Sequence, residues 1–166
     1  MEKNKIKHKL EIKMKIIIDL DVVTVGKWDR GKNGDNSRKF MEKVENKDFY
    51  LITPTLLIEL VRKWDYGKLK IQIEEFYLKN SDELIERLQI IEEIVSKGID
   101  FEEIFSKFVE IKIKEEDITL ILVSSLRDSS LVTFNKIHLK SKEEEINEIL
   151  LEYGLKTIRI TSSEQI

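Results

Sequence analysis

Short apolar runs alternate with amphipathic stretches along the chain. Residues 16–18 and 49–52 are consecutive apolar positions, and residues 131–134 are apolar apart from Thr133. Such runs are of the kind found in strands buried on both faces. Residues 109–113 alternate apolar and charged positions, which predicts a strand with one less buried face, and residues 157–160 predict a last strand. Strands alternating with helices indicate an α/β class, a three-layer α/β/α domain around a mostly parallel sheet of about five strands.

Helical spacing of apolar residues predicts the segments between these strands. Thr53 as N-cap and Pro54 at the first helical position are expected to open a helix that Gly67 ends. Further helices are expected after Gly67 through Phe76, from Ser81 to Gly98 and over residues 101–108, 115–126 and 143–153. The helices between the second and third strands are expected to form a clamp beside the sheet. The pattern shows no internal repeat.

Gly26 to Ser37 is the clearest predicted loop, because it holds three glycines and several turn formers. A helix through Phe40 and Val44 is expected to follow it. Trp28 and Trp64 are interpreted as packing residues rather than as platforms for nucleobases. The cations in and beside the loop are weak candidates for contacts with phosphate groups: Lys27, Arg30, Lys32 and Arg38.

Length and composition narrow the class of protein. A chain of 166 residues is expected to form one domain, residues 14–166, with a real hydrophobic core. It contains no cysteine, which excludes disulfides, thiolate zinc sites and a thiol nucleophile and suits the cytoplasm. No apolar run reaches the ~18 residues of a membrane span, so no membrane partner is expected. The Lys, Glu and Ile bias is similar to that of thermophile proteins.

The N-terminal segment is basic although the whole chain has a net charge of −3. Residues 1 to 15 hold six lysines against two glutamates, a net charge of +4. Residues 1–13 are therefore expected to form a basic N-terminal arm or strand extension. This segment is expected either to be solvated or to contact a phosphate backbone.

Four positions distant in the sequence are expected to meet at one edge of the sheet. Asp19 ends the first strand and is followed by Asp21; Glu59 lies in the helix after the second strand. Asp117 lies in the first turn of the helix after the third strand, and Asn135 follows the fourth. Ligands of open α/β sheets bind at the carboxyl ends of the strands. Because clustered carboxylates need a neutralising cation, this placement predicts Mg²⁺ or Mn²⁺ there.

Each of these side chains also has an ordinary structural explanation. Asp19 is suited to a turn or cap, Glu59 to a solvated helix face, and Asp117 to the helix dipole. Asp21 is explained equally well as a surface acid and as a residue that supports the site. Thr133 and Asn135 are common turn formers. His138, three residues beyond Asn135, is a weak candidate for substrate contact. The joint placement on one edge is what favours a site.

The order and spacing of these motifs resemble those of the PIN-domain nuclease family. Residues 16–21 resemble its first acidic motif and residues 53–60 its second. Asp117 and the segment 131–135 resemble its closing motif, and residues 155–160 resemble its terminal strand. The resemblance implies a metal-dependent endoribonuclease, either a VapC-like toxin or an RNA-processing enzyme.

The same resemblance implies roles for individual residues. Asp19, Glu59 and Asp117 are expected to bind one or two Mg²⁺ or Mn²⁺ ions, with Asp21 and Thr133 in support. Asn135 stands where the family commonly has Asp, and an amide brings no negative charge, so metal affinity is expected to be lower. RNA is the expected substrate, a homodimer the expected assembly, and an antitoxin protein a further expected partner.

Two alternatives remain open. Asp19 and Asp21, with Thr53, also resemble the first motifs of haloacid-dehalogenase-like phosphatases, in which the first Asp is a covalent nucleophile. That family needs acids after a later strand, and no such pair is present. The second alternative is a catalytically weak RNA-binding module of PIN type.

Overall fold

The computed structural model describes residues 12–65 and 67–166 as an α/β chain. The strands are β1 (Lys15–Ile18), β2 (Tyr50–Pro54), β3 (Glu83–Ile85), β4 (Ser130–Val132) and β5 (Ile160–Thr161). The helices of the first half are α1 (Leu20–Trp28), α2 (Lys32–Glu45), α3 (Thr55–Arg62) and α4 (Gly67–Asn80). Those of the second half are α5 (Arg87–Ser96), α6 (Phe101–Glu110), α7 (Glu115–Leu126) and α8 (Glu143–Glu152). The expected basic arm lies outside the described residues except for Ile12 and Lys13, which are both exposed.

The five strands form one fully parallel sheet in the order β3-β2-β1-β4-β5, flanked by helices in a three-layer α/β/α arrangement. The chain leaves β1 toward β2 and β3, and then returns to place β4 on the other side of β1. The strand order therefore reverses between β1 and β4. In open parallel sheets such a reversal opens a crevice at the carboxyl ends of the two strands.

Burial explains why the central strands form. The isoleucines of β1 are fully buried, as are Leu51 and Ile52 of β2 and Leu131 and Val132 of β4. β-branched residues suit a strand covered on both faces by helices. Each such side chain contributes about 1.5–3 kcal/mol when it leaves water, so the predicted central strands are confirmed.

The third strand is not where the apolar pattern predicted it. Residues 101–110 form α6, and residues 111–112 turn, with Lys112 at a φ of 68°. The strand is β3, inside the segment expected to be a helix from Ser81. It is only three residues long and forms because Thr53 and Leu84 pair across the parallel ladder, and Asp82 accepts a hydrogen bond from the Leu51 amide at 2.8 Å. Pairing with β2 thus outweighs the local helical pattern.

The predicted glycine-rich loop is mostly helical, and its glycines permit close packing. A Cβ on Gly26 would lie 2.5 Å from the Met41 sulfur, and one on Gly34 would lie 2.0 Å from the carbonyl oxygen of Asp29. Gly26 is in α1 and meets α2, so the two helices approach there more closely than a side chain allows. Gly34, in α2, packs equally closely against the connection between the helices. Only residues 29–31 separate the helices.

The boundaries of three further elements differ from the prediction. Thr53 and Pro54 end β2, so α3 begins at Thr55, and Gly67 opens α4 instead of ending α3. The last strand is β5, at Ile160–Thr161, slightly later than predicted.

Gly98 and Gly154 follow α5 and α8 with positive φ values of 79° and 73°, as expected of glycines that end helices. In the described part of the chain, no helix is long and apolar enough to cross a membrane.

Substitution of Gly34 tests the close packing of α2 against the connection that joins it to α1. Gly34→Ala is expected to lower the free energy of unfolding by about 2 kcal/mol, which corresponds to a fall in Tm of about 4–8 °C. The matched control is Gly67→Ala, since a Cβ at Gly67 meets nothing within 4 Å. The control is expected to be neutral or slightly stabilising. Thermal unfolding followed by circular dichroism measures both, and equal Tm values would contradict the close contact.

Candidate functional site

Two carboxylates stand at the carboxyl end of β1. Asp19 is the N-cap of α1, and its Oδ1 accepts a hydrogen bond from the Leu20 amide at 2.8 Å. The Asp19 amide donates to the Val132 carbonyl at 2.9 Å, which extends the β1–β4 pairing by one residue. Asp21 follows in the first turn of α1, where the helix dipole favours a negative charge. Both residues therefore lie at the crevice between β1 and β4.

Thr133, directly after β4, joins the two carboxylates. Its hydroxyl lies 2.9 Å from Asp19 Oδ2 and 3.3 Å from Asp21 Oδ2, and its single proton is donated to one of them at a time. The backbone N–H of Asn135 donates a hydrogen bond to the same hydroxyl at 3.0 Å, and the backbone N–H of Phe134 donates one to Asp21 Oδ2 at 3.1 Å. The segment after β4 thus holds both aspartates in place.

The other oxygen of Asp21 is buried and has no hydrogen-bond partner among the described residues. Burial, and then the negative charge of Asp19, raise the pKa of Asp21 from 3.8 to about 7. Burial also raises the pKa of Asp19, although the hydrogen bonds from Thr133 and Leu20 oppose this. An unpaired buried carboxylate oxygen is costly. The pair therefore favours a bound proton or a cation at this point.

Asp117 adds a third carboxylate within electrostatic reach. It lies in the first turn of α7 and is buried, with 8% of its surface exposed. Burial, the charge of Asp19 and the charge of Glu116 raise the pKa of Asp117 to about 6. The sequence-based prediction reached Asp117 through a preceding strand at residues 109–113. That strand is absent from the described residues, and the N-terminus of α7 brings Asp117 to the site instead.

Tyr77, on α4, is a site residue that the sequence pattern did not indicate. It is fully buried, and its hydroxyl donates to the Ile18 carbonyl at 2.7 Å, directly before Asp19. Burial and the charges of Asp19 and Asp21 raise its pKa well above 10, so it stays a neutral donor. A buried tyrosine usually finds a hydrogen-bond partner. That partner is distant in the chain, and no local pattern reveals it.

Glu59 and Asn135 are placed differently from the aspartates. Glu59 is exposed and lines a cavity of about 230 Å³ at the ends of β2 and β3, together with Glu115, Glu116 and Arg87, and Asp19 is not among the lining residues. The Asn135 side-chain oxygen accepts a hydrogen bond from the backbone amide of His138 at 3.0 Å, and His138 is itself exposed. The role of Glu59 as a ligand stays a prediction.

The cations predicted to meet phosphates lie at the junction of α1 and α2. Arg38 donates to the carbonyl oxygens of Asp29 at 2.6 Å and Gly26 at 3.3 Å, and it also pairs with Asp35. It therefore stabilises the connection between the two helices. The Lys27 ammonium lies 5.9 Å from the centre of the Phe76 ring. Arg30 and Lys32 are exposed.

The aspartate pair fits a hard cation in part. Within residues 12–65 and 67–166, no three carboxylate, imidazole or thiol side chains lie close enough together to hold a metal ion. Magnesium, however, commonly takes one or two carboxylates from a protein and completes its shell with water and substrate phosphate. Asp19 and Asp21 meet that requirement, and one buried Asp21 oxygen has no hydrogen-bond partner among the described residues.

Comparison of the sequence with protein-family models and with curated proteins found no match. The site is therefore defined by its own geometry.

The raised pKa values predict how stability changes with pH. Asp21 keeps its proton to about pH 7 in the folded state but only to about 3.8 when unfolded. The folded state therefore binds more protons between these values, and the free energy of unfolding falls as the pH rises through that window.

Asp21→Asn tests this dependence. The substitution is expected to stabilise the metal-free protein by about 2 kcal/mol at pH 8, which raises Tm by about 4–8 °C, and to change it little at pH 4. Thermal unfolding in EDTA at both pH values is the measurement. Asp48→Asn, at an exposed aspartate, is the control. A lower Tm for Asp21→Asn than for the wild type at pH 8 would show that the ionised Asp21 carboxylate does not destabilise the folded state.

Proposed function

We propose that this protein is a metal-dependent endoribonuclease of PIN type, which hydrolyses phosphodiester bonds of RNA with Mg²⁺ or Mn²⁺. The observation that carries the proposal is the Asp19–Asp21 pair at the reversal of strand order, with one buried Asp21 oxygen that has no hydrogen-bond partner within residues 12–65 and 67–166. Such a pair is costly to keep ionised without a cation. A bound divalent ion would supply positive charge and Lewis acidity at a scissile phosphate.

The protein's own residues have distinct roles in this proposal. Asp19 and Asp21 bind the cation, so Asp21 acts as a ligand and not only in support. Thr133 and the Phe134 amide orient the two carboxylates, and Tyr77 holds the backbone directly before Asp19. Asp117, buried and influenced by the charge of Asp19, keeps the crevice negative. Glu59 is a candidate for contact with a second ion or with substrate from the neighbouring cavity.

RNA as the substrate is supported by the motif resemblance at residues 16–21, 53–60 and 131–135. The same resemblance supports an assignment as a toxin with an antitoxin partner or as an RNA-processing enzyme, acting as a homodimer. Asn135 uses its side-chain oxygen within its own turn and brings no negative charge, so in the wild type the aspartates are the main ligands of the proposed site.

The phosphatase alternative has less support from the contacts around Asp19. The four residues after β4 are Thr133, Phe134, Asn135 and Lys136, which include no acid. The Thr53 hydroxyl lies 2.6 Å from that of Ser81, so Thr53 connects β2 to the segment before β3. Both observations leave a nucleophilic Asp19 without the partners that the phosphatase mechanism needs.

Cleavage of single-stranded RNA in Mn²⁺, Mg²⁺ or EDTA tests the proposal. Asp19→Asn is expected to reduce the metal-dependent rate by about 1,000-fold, because several kcal/mol of charge stabilisation depend on the bound ion. Asn is a good N-cap, so α1 is expected to remain intact. Asp48→Asn is the control, and Asn135→Asp is expected to raise metal affinity.

A second measurement separates the alternatives. Mn²⁺ is expected to raise Tm in the wild type and not in Asp19→Asn, because only a cation bound to the folded state stabilises it. RNA that binds but stays intact with both wild type and Asn135→Asp would favour a binding module. An acyl-phosphate at Asp19 would favour the phosphatase.

A further inference from the structure

A six-residue motif occurs twice in the first half of the chain. Residues 27–32 are Lys-Trp-Asp-Arg-Gly-Lys and residues 63–68 are Lys-Trp-Asp-Tyr-Gly-Lys, identical at five of six positions and 36 residues apart. The expectation that the chain holds no internal repeat is therefore wrong. Both tryptophans of the chain belong to this motif.

The two copies occupy equivalent places in the fold. The first joins α1 to α2, and the second joins α3 to α4. Trp28 is the last residue of α1, and Trp64 follows the C-terminal end of α3. Pairs of residues at the same offset of 36 are buried in both copies: Val22 and Ile58, Ser37 and Ile73, Phe40 and Phe76, Met41 and Tyr77, Val44 and Asn80. A strand–helix–helix unit is thus repeated, with a tryptophan at the same turn.

The repeated tryptophans line one common cavity. Trp28, Trp64, Thr24 and Leu69 enclose a volume of about 390 Å³. Trp28 is 62% exposed, so its interpretation as a packing residue is wrong, whereas Trp64 is half-buried against the core. A large aromatic side chain left in water beside an apolar cavity is suited to stacking against a flat ligand.

The residues that line the cavity are uncharged, but the two hexapeptides that carry its tryptophans are rich in positive charge. The two hexapeptides carry five cations against two aspartates. Arg30, Lys32, Lys63 and Lys68 form no salt bridge with any residue in the described part of the chain. Asp29 is already engaged, since its Oδ1 accepts a hydrogen bond from the Gly31 amide at 2.9 Å. The cations are therefore available to an anionic ligand.

We propose that Trp28 and Trp64 form a stacking pocket for an unpaired base of single-stranded RNA, whose neighbouring phosphates contact the cations of the two hexapeptides. Aromatic platforms beside lysines and arginines are the usual means of binding single strands. A second copy of the chain fits less well, because a two-fold contact would bring the same positive segments face to face.

The pocket and the aspartate site lie at opposite ends of α1. Trp28 follows Asp21 by seven residues on this helix, about 10 Å along the helix axis. The choice of RNA as ligand rests on the proposed nuclease function. The stacking pocket rests on the repeat, the exposed ring and the hexapeptide cations, of which Arg30, Lys32 and Lys68 form no salt bridge with any residue that the structure describes.

Intrinsic fluorescence tests the pocket directly, since the chain has two tryptophans and both line the cavity. Titration of the whole protein with a short single-stranded RNA in EDTA is expected to quench that fluorescence. By fluorescence anisotropy of labelled RNA, Trp28→Ala is expected to weaken binding about 10-fold, because one base loses its stacking partner. Trp28→Phe is expected to retain most of the affinity. Leu151→Ala, at a residue also 62% exposed but outside the cavity, is the control.

A charge variant tests the phosphate contacts while both rings are kept. Arg30→Glu is expected to weaken binding and to reduce the slope of log K against log salt by about 0.7. Lys97→Glu is the matched control, since Lys97 is likewise an exposed cation and lies outside the two hexapeptides.

Two results would overturn the pocket. One is unchanged RNA binding by Trp28→Ala, with or without a change in oligomeric state, and the other is equal affinity for a duplex of the same sequence. Because binding is measured in EDTA, it is independent of cleavage. Trp28-dependent binding without cleavage in Mn²⁺ would reject the nuclease and leave the pocket standing. Metal-dependent cleavage together with unchanged RNA binding by Trp28→Ala would support the nuclease and reject the pocket.

Discussion

The parallel pairing of β1 with β4 is the constraint on which the candidate site depends. It places Thr133 beside Asp19, and the Thr133 hydroxyl and Phe134 amide then hold Asp19 and Asp21 together against their mutual repulsion. Thr133 and Asp19 are 114 positions apart in the chain. Without this pairing, Asp19 would be an ordinary N-cap and Asp21 an ordinary acid in a first helical turn.

Burial gives this arrangement its chemical character. The carboxylates of Asp19, Asp21 and Asp117 all have raised pKa values, because each is withdrawn from water, and the negative charge of Asp19 adds to the shift of Asp21 and of Asp117. Tyr77 adds a neutral donor that holds the backbone before Asp19 without neutralising the pair. Sites that keep like charges close together sacrifice stability for function, and perturbed carboxylates in a crevice are typical of functional sites.

The two copies of the strand–helix–helix unit differ in what they contribute to the proposed function. The offset of 36 matches Asp19 with Thr55 and Asp21 with Leu57, so only the first copy carries the carboxylates. Both copies keep the tryptophan at the turn between their helices. The first unit therefore contributes to the aspartate site and to the aromatic pocket, and the second contributes to the pocket alone.

The sequence by itself determined the fold class, the central strands, α7, α8 and the position of Asp19, because continuous apolar runs and helical stripes report burial directly. It also indicated Asp21, Asp117 and Thr133. Only the tertiary structure decided β3, the close packing at Gly26 and Gly34, the contact of Tyr77 with Ile18, and the placement of Glu59 in a separate cavity. Each of these depends on a partner that is distant in the chain, and a local pattern does not contain that information.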